Sequence, residues 1–325
     1  MPAPRSLDPI SVVERAYGLQ GTEAEWIDRL LETVGPAIDR GLGLYGFTYR
    51  WLEGSPRLEA FASGNPGLKE LVRVVSTPYL AATIRARKPC NTFSEQMEAL
   101  PPRLRDLMGT QFRAHGFADV LGLHAGDPEG GLFLVSGLAE QENVQTRDMA
   151  RWRRITAHVG TALRLRRRIE REALEEEAVL SPSGKLLHAS GRAKHADARD
   201  RLRTAALAID RARGPLRRKN PEEALEIWRA LCAGRWSLID RFEADGRRYI
   251  IAHQNEPHLV DLRGLSQREA AVAAFVQLGQ ANKEIAYALG ISSSSVATHL
   301  SSALRKLGLP SRAALAGTSF GHHVD

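Results

Sequence analysis

"LSQREAAVAAFVQLGQANKEIAYALGISSSSVATHLSSALRKLGLPSRAAL", residues 265–315, is the most informative part of this chain. Near its start, SQRE at 266–269 has the spacing of a capping box, in which a serine and a glutamate side chain each bond the other's backbone N–H at a helix N-terminus. Apolar residues follow at helical spacing, and Gly279 and Gly290 suit the ends of two successive helices. The stretch therefore predicts short helices joined by tight turns, which is the geometry of a helix-turn-helix.

Four consecutive serines at 292–295 open the third predicted helix. Ser292 or Ser293 suits the N-cap position, where a hydroxyl accepts a hydrogen bond from a free backbone N–H. A flexible linker would lack regular apolar spacing, whereas this segment repeats it on one helical face at Val296, Leu300, Ala303 and Leu307. The opposite face then carries small polar residues and one arginine, namely Ser294, Thr298, Ser301 and Arg305. This face is the predicted working surface of the helix.

The same stretch closely resembles the C-terminal DNA-binding domain of LuxR-type transcriptional regulators. The matching elements are Leu-Ser-x-Arg-Glu at 265–269, Gly279, Asn-Lys-Glu-Ile-Ala at 282–286, Leu289, Ile291-Ser292, Val296, His299, Lys306-Leu307 and Ser311-Arg312. The resemblance implies an all-α four-helix helix-turn-helix domain over 262–318, whose third helix enters the major groove of DNA. It also implies that the fourth helix, from Ser311 onward, serves dimer contacts.

Helical geometry and the resemblance together predict two sets of DNA-contacting residues. The base-facing set on the third helix is Ser294, Ala297, Thr298 and Ser301. The phosphate-contacting set is Asn282, Lys283, Ser293, Ser295, His299, Arg305, Lys306 and Arg312. Serine and threonine give no bidentate base pairing comparable to arginine with guanine. We therefore expect specificity to draw on the Thr298 methyl group, bridging waters, DNA shape and the pairing of two half-sites.

The region before this domain predicts two successive α+β regions. Over 1–145, a helix, strands, further helix and paired strands resemble a GAF domain, and a long helix over 146–176 connects it to the second region. Residues 177–256 resemble a PAS-like module, with two strands flanking the hairpin signal Asp245-Gly246. A candidate ligand pocket in the first region would be lined by Phe47, Tyr49, Trp51, Phe61 and Leu121. The same side chains also suit a hydrophobic core, and core packing is the favoured role.

The composition bounds the class of protein. A chain of 325 residues suggests two or three domains, and 43% hydrophobic with 26% charged residues is typical of folded protein. The formal net charge of +7 suits a polyanionic partner such as nucleic acid. Two distant cysteines give no metal-ligand spacing, and neither a signal peptide nor an apolar run of about 18 residues is present. We expect a cytoplasmic protein with no metal site and no membrane partner.

Catalytic patterns are missing from the sequence. No Walker A, HExxH, GxSxG or SxxK motif occurs, so we predict no catalytic residue, no cofactor and no enzymatic activity. The segment 41–46 matches GxGxxG in letters, but a helix precedes it and a strand follows, the reverse of a dinucleotide site. The acidic pair of a receiver domain is also missing, as is the Trp-x3-Tyr pattern of acyl-homoserine-lactone sensors, since Ser55 stands four residues after Trp51.

The sequence as a whole predicts a multidomain transcriptional regulator, in which α+β GAF-like and PAS-like sensor regions control the helix-turn-helix domain. Its expected partners are double-stranded DNA, a second copy of the chain, and a small-molecule or protein signal. Two alternatives stay open. One is a signalling or scaffold protein that acts through protein contacts and does not bind DNA, and the other is a ligand-binding enzyme of unknown reaction.

Overall fold

The structure is a computed structural model that describes residues 7–52, 55–75, 81, 84, 89–95, 102–127, 130–142, 146–171, 176–228, 231–232, 236–242, 247–254, 266–277, 279–307 and 309–317. The chain packs as two compact units. Unit 1 is built around residues 19–160, and unit 2 around residues 8–18 and 161–319. No helix in the described part of the chain has the length and apolar character needed to cross a bilayer.

The first helix, α1 (Pro9–Ala16), belongs to unit 2 and is described with it. Unit 1 contains the helices α2 (Glu23–Ile38), α3 (Pro66–Val75) and α4 (Pro102–Ala114). Its described strands are β1 (Leu44–Leu52), β2 (Ser55–Phe61), β3 (Cys90–Thr92), β4 (Asp119–Asp127) and β5 (Gly130–Leu138). They form an antiparallel sheet in the order β2-β1-β5-β4-β3.

The two faces of this sheet pack against different helices because side chains alternate along each strand. On one face, Tyr45, Phe47 and Tyr49 of β1 join an aromatic cluster with Leu68 of α3 and Phe112 of α4. On the other face, Gly46 leaves room for α2. A β-carbon added at Gly46 would lie 2.5 Å from a methyl carbon of Ile27. Unit 1 is therefore a sheet covered by helices on both sides.

A long helix, α5 (Thr146–Arg171), follows the first sheet. Its residues up to Gly160 pack in unit 1, and those from Thr161 pack in unit 2. Within the predicted connecting helix 146–176, residues 172–175 lie outside the described part of the chain, and Glu176 already begins a strand. His158 of α5 is fully buried, and burial lowers the pKa of its imidazole to about 3. His158 is therefore neutral at physiological pH.

Unit 2 contains a second sheet with the same strand order as the first. Its described strands are β6 (Glu176–Leu180), β7 (Leu186–Ala189), β8 (Leu231–Cys232), β9 (Trp236–Phe242) and β10 (Arg248–Gln254), in the order β7-β6-β10-β9-β8. A 3-10 helix (Gly191–Lys194) and the helices α6 (Ala196–Arg213), α7 (Leu216–Lys219) and α8 (Pro221–Ile227) separate β7 from β8. The predicted turn Asp245-Gly246 lies outside the described residues, but β9 and β10 pair antiparallel.

Helix α1 packs in unit 2, which differs from the predicted assignment of residues 1–145 to a single domain. Burial of Ile10, Val12, Val13 and Ala16 and charge pairing together account for this placement. Arg217 of α7 contacts Asp8 at 2.5 Å and Glu14 at 3.0 Å, and Arg213 of α6 contacts Glu14 at 3.0 Å. Asp8 also accepts hydrogen bonds from the Ile10 and Ser11 amides as the N-cap of α1. These acidic groups therefore hold the helix on the arginines of unit 2.

We expect Asp240→Asn to lower the free energy of unfolding by about 2 kcal/mol, because it neutralises a mostly buried partner of two arginines. The Asp240 carboxylate contacts Arg213 Nη2 at 2.5 Å and Arg248 Nε at 3.0 Å. Its side chain is only 14% exposed. Urea-induced unfolding measures the change. In the control Glu70→Gln, an exposed pair with Arg73 is lost, and the expected change is below about 1 kcal/mol. Equal losses in the two variants would contradict the prediction.

The C-terminal part of unit 2 contains the described helices α9 (Gln267–Gln277), α10 (Asn282–Leu289), α11 (Ser293–Leu307) and α12 (Arg312–Gly317). Each contributes apolar side chains to a shared core, with buried residues Val272, Phe275, Val276, Ile285, Leu289, Val296, Leu300, Ala303 and Leu315. The buried positions on α11 are three of the four that helical spacing predicts to face inward. The side chain of the fourth, Leu307, lies outside the described part of the chain.

Candidate nucleic-acid interface

Local hydrogen bonds explain where the first two helices of this domain begin and end. The Ser266 amide donates to Glu269 Oε2 at 2.6 Å, and the Glu269 amide donates to Ser266 Oγ at 3.4 Å, which confirms the predicted capping box. Glu284 accepts from the Ala281 amide at 2.7 Å at the start of α10. Gly290 ends α10 with φ of 62°, in the left-handed region that glycine adopts readily.

The serines place the start of helix α11. The Ile291 amide donates back to the Ala286 carbonyl at 2.9 Å, which closes the turn after α10. Ser292 Oγ then accepts from the Ser295 amide at 3.0 Å, so Ser292 is the N-cap residue. Its hydroxyl also lies 2.8 Å from the hydroxyls of Ser294 and Ser295. The serine run therefore forms a helix start, and the tight turn brings α11 against α10.

The four predicted base-facing residues share one exposed strip of α11. The strip consists of Ser294, Ala297, Thr298 and Ser301, and all four are exposed. The opposite face is buried, with Val296 and Ala303 fully inaccessible to solvent. Thr298 Oγ1 donates to the Ser294 carbonyl at 3.0 Å, which leaves its methyl group and hydroxyl oxygen available. Small side chains along the whole strip let another surface approach the helix backbone closely.

The predicted phosphate-contacting residues include positions on α10 and on α11. Lys283, Ser293 and Arg305 are exposed, while Ser295 and His299 are partly buried. Arg305 donates to Ser302 Oγ at a long 3.4 Å. The backbone of Lys306 belongs to α11, but its side chain lies outside the described residues. The exposed cations Lys283 and Arg305 lie on two different helices, α10 and α11.

Arg312, a predicted phosphate contact, is hydrogen-bonded within the domain. Its Nη1 donates to Asn282 Oδ1 at 2.7 Å, and its Nη2 donates to the Gln280 carbonyl. Both groups lie at the start of α10, 30 residues or more earlier in the chain. Arg312 therefore positions the N-terminus of α10 from within the domain, and the Asn282 side-chain oxygen is occupied by the same contact.

We expect Arg312→Ala to lower the free energy of unfolding by about 2 kcal/mol, because two hydrogen bonds from a charged group disappear. Urea-induced unfolding measures the loss. In the matched control Arg305→Ala, an exposed arginine is removed, so stability should change by less than about 0.5 kcal/mol. The control should instead reduce the salt dependence of DNA binding. If Arg312→Ala behaved like Arg305→Ala in both measurements, the positioning role would be wrong.

The five predicted pocket residues do not surround one space. Phe47, Tyr49 and Trp51 lie on the face of β1 that carries the aromatic cluster, and Tyr49 is hydrogen-bonded to His124 at 2.9 Å. Phe61 is 39% exposed on β2. Leu121 pairs with Ser136 of β5, whereas Phe47 pairs with Phe133. Ser136 and Phe133 are an odd number of residues apart on the same strand, so their side chains lie on opposite faces of the sheet. Leu121 therefore points to the side opposite Phe47. Leu121 therefore cannot line the same cavity as Phe47 and Tyr49.

Three contacts to this domain could not be predicted from the sequence. The Tyr287 hydroxyl of α10 donates to the Trp228 carbonyl at 2.8 Å, across 59 residues. Arg164 of α5 donates to the Ala288 carbonyl at 3.0 Å, across 124 residues, and its guanidinium carbon lies 5.8 Å from the centre of the Phe275 ring. No spacing or motif signals pairs so far apart in sequence. The arginine-rich part of α5 has the sequence pattern of a solvated helix.

Comparison with known proteins identifies the C-terminal domain. Residues 263–318 match the family described as bacterial regulatory proteins, luxR family, or GerE. The predicted LuxR-type helix-turn-helix domain is thereby confirmed for this part of the chain. No curated protein matches the chain.

Two solved structures are similar over most of their length, but at low scores. One is the crystal structure of Escherichia coli SdiA in the space group P6522, with 13% identity, coverage of 95% of this chain and 93% of that chain, and a TM-score of 0.31. The other is SdiA in complex with octanoyl-rac-glycerol, with 14% identity, 95% and 91% coverage, and a TM-score of 0.28. Similarity at this level adds no argument about fold or function.

Proposed function

We propose that this protein is a DNA-binding transcriptional regulator that places helix α11 in the major groove of double-stranded DNA. One observation carries the proposal. The strip Ser294, Ala297, Thr298 and Ser301 is exposed on a helix whose other face is buried, in a domain that matches the luxR family. A domain of this kind presents its second helix-turn-helix member to base edges. Here that member is α11.

The chemistry of the strip suits close approach more than strong direct readout. Serine and threonine hydroxyls donate or accept single hydrogen bonds, and the Thr298 methyl group can contact a thymine methyl group. Affinity then depends on phosphate contacts. Lys283 and Arg305 supply positive charge, and the free amides at the start of α11 add the partial positive charge of a helix N-terminus. DNA shape and bridging water supply the remaining specificity.

The two units that contain the sheets are the proposed regulatory part of the protein. If the strands of each sheet are numbered from 1 to 5 in chain order, both sheets have the order 2-1-5-4-3. This shared order supports a GAF-like unit followed by a PAS-like unit. The buried Tyr45 hydroxyl has no hydrogen-bond partner within the described residues, so a polar ligand atom could satisfy it. We propose that a small-molecule or protein signal acts on these units, and that the protein works as a cytoplasmic homodimer without enzymatic activity.

Selection of genomic DNA fragments by the purified full-length protein tests this function. We expect an enriched two-fold-symmetric site with half-sites about 34–36 Å apart. The variant Lys283→Ala/Arg305→Ala should bind more weakly and reduce the salt slope by about 2. In the control Lys69→Ala/Arg103→Ala, two exposed cations of unit 1 are lost instead, and binding should stay near wild type. Absence of enrichment, with both variants behaving like wild type, would favour a protein that acts through protein contacts.

A further inference from the structure

Helix α10 lies against the end of helix α8 through two residues one helical turn apart. Lys283 Nζ is 3.1 Å from Glu226 Oε1, and the Tyr287 hydroxyl donates to the Trp228 carbonyl at 2.8 Å. Residues four apart share one face of a helix, so these are two points of a single docking contact. Glu226 belongs to α8, and Trp228 is its C-cap residue. The contact joins the DNA-binding domain to the PAS-like part of the same unit.

We propose that Glu226 occupies the place of a DNA phosphate at Lys283, so that docking of α10 on α8 competes with DNA binding. The inference rests on the proposed function, since Lys283 meets a phosphate only if the domain binds DNA. A carboxylate and a phosphate oxygen make the same kind of charge-assisted hydrogen bond to an ammonium group.

The Lys283–Glu226 ion pair is exposed enough for another anion to replace Glu226. The Lys283 side chain is 75% exposed and that of Glu226 is 50% exposed, so solvent and a third charged group can reach both. An ion pair in this setting holds weakly and is screened by salt. The outward strip of α11 stays exposed while α10 is docked. Docking therefore removes one phosphate contact and leaves the groove-facing surface open, which predicts a moderate loss of affinity.

Trp228 connects the contact between α8 and α10 to the rest of the regulatory region. Its ring is buried, stacks on Tyr17, the C-cap residue of α1, at a centroid distance of 6.4 Å and lies 4.9 Å from the Arg213 guanidinium carbon. Arg164 fixes the other end of α10 through the Ala288 carbonyl. A rearrangement that shifts α1 or α6 would therefore move Trp228, and with it the distance between Glu226 and Lys283.

The variant Glu226→Gln tests the competition, with a fluorescently labelled mixed-sequence DNA duplex of about 40 base pairs as the probe. We expect full-length Glu226→Gln to bind about 3- to 10-fold more tightly than wild type at low salt, with a salt slope steeper by about 1. The control Glu142→Gln neutralises an exposed carboxylate of unit 1 and should leave the affinity within about 2-fold. On a Lys283→Ala background, the Glu226→Gln effect should disappear.

Any of three results would overturn the inference. The first is a Glu226→Gln affinity equal to that of Glu142→Gln, and the second is a Glu226→Gln effect that persists without Lys283. The third is wild-type DNA affinity in Tyr287→Phe, which keeps the ring and removes only the hydroxyl donated to Trp228. We expect this variant to tighten DNA binding by loosening the dock. If wild type and every variant failed to bind the duplex, the proposed function would fail as well. If wild type bound the duplex in a salt-dependent way and Glu226→Gln did not change the affinity, the proposed competition would be wrong and the proposed DNA-binding function would stand.

Discussion

We expect Thr298→Glu to weaken DNA binding by about 100-fold or more and to leave the melting temperature of the protein near the wild-type value. Thr298 lies at the centre of the exposed strip on α11, so a glutamate there meets solvent in the free protein. If α11 enters the major groove, the same carboxylate faces base-edge acceptors and flanking phosphates, and like charges brought together cost several kcal/mol. Fluorescence anisotropy with a selected DNA site measures the affinity, and thermal unfolding measures the stability.

Thr204→Glu provides a matched control for this variant. Thr204 is also exposed within a helix, and its Oγ1 donates to the Asp200 carbonyl four residues earlier at 2.8 Å, as Thr298 does to Ser294. The two substitutions therefore have the same local effect on a helix and on net charge. We expect Thr204→Glu to bind DNA nearly as wild type does. Equal losses in the two variants would mean that the overall charge, and not the α11 strip, governs binding.

Trp228→Ala lowers the free energy of unfolding by about 3–5 kcal/mol, the largest stability loss we expect from a single substitution in this protein. The Trp228 side chain is 1% exposed and contacts both the Tyr17 ring and the Arg213 guanidinium group. Its loss leaves a cavity and removes the aromatic partner of a largely buried arginine. Urea-induced unfolding gives the magnitude. Hydrogen exchange should also show reduced protection in α1, because Tyr17 loses its stacking partner.

Trp51→Ala is the comparison for Trp228→Ala. Trp51 is partly buried and packs against the edge of the aromatic cluster in unit 1. Trp51→Ala removes the same indole side chain from a partly buried site, so we expect the free energy of unfolding to fall by about 1–2 kcal/mol. Protection of α1 should be unchanged. A loss below about 1 kcal/mol for Trp228→Ala would contradict the stabilising role of its packing against Tyr17 and Arg213.

The sequence was sufficient wherever a structural feature depends on residues within about one helical turn. The capping box at Ser266 and Glu269, the left-handed glycine at 290 and the serine N-cap of α11 all formed as predicted. Each is a hydrogen bond or a backbone conformation that a few neighbouring residues determine. The same local information placed Ser294, Ala297, Thr298 and Ser301 on one face, since helical periodicity alone fixes their directions.

Partners distant in the chain could not be predicted in this way. Arg312 resembles a phosphate-binding arginine in sequence, yet its guanidinium group is used at the start of α10. Alternation along β4 predicts that Leu121 and its neighbours point to opposite faces, but it does not say which face meets the aromatic cluster. Helix α1 packs in unit 2 and not in the unit of the sheet that follows it in sequence, and its acidic residues meet arginines 200 residues or more later.

Methylation of guanine N7 by dimethyl sulfate in a bound, selected DNA fragment shows whether α11 occupies the major groove, because N7 lies in that groove. We expect two clusters of protected guanines separated by about one helical turn, one for each copy of α11. Thr298→Glu should show no protection under the same conditions. Full reactivity of every guanine on a fragment that wild-type protein demonstrably occupies would contradict the placement of α11 in the major groove.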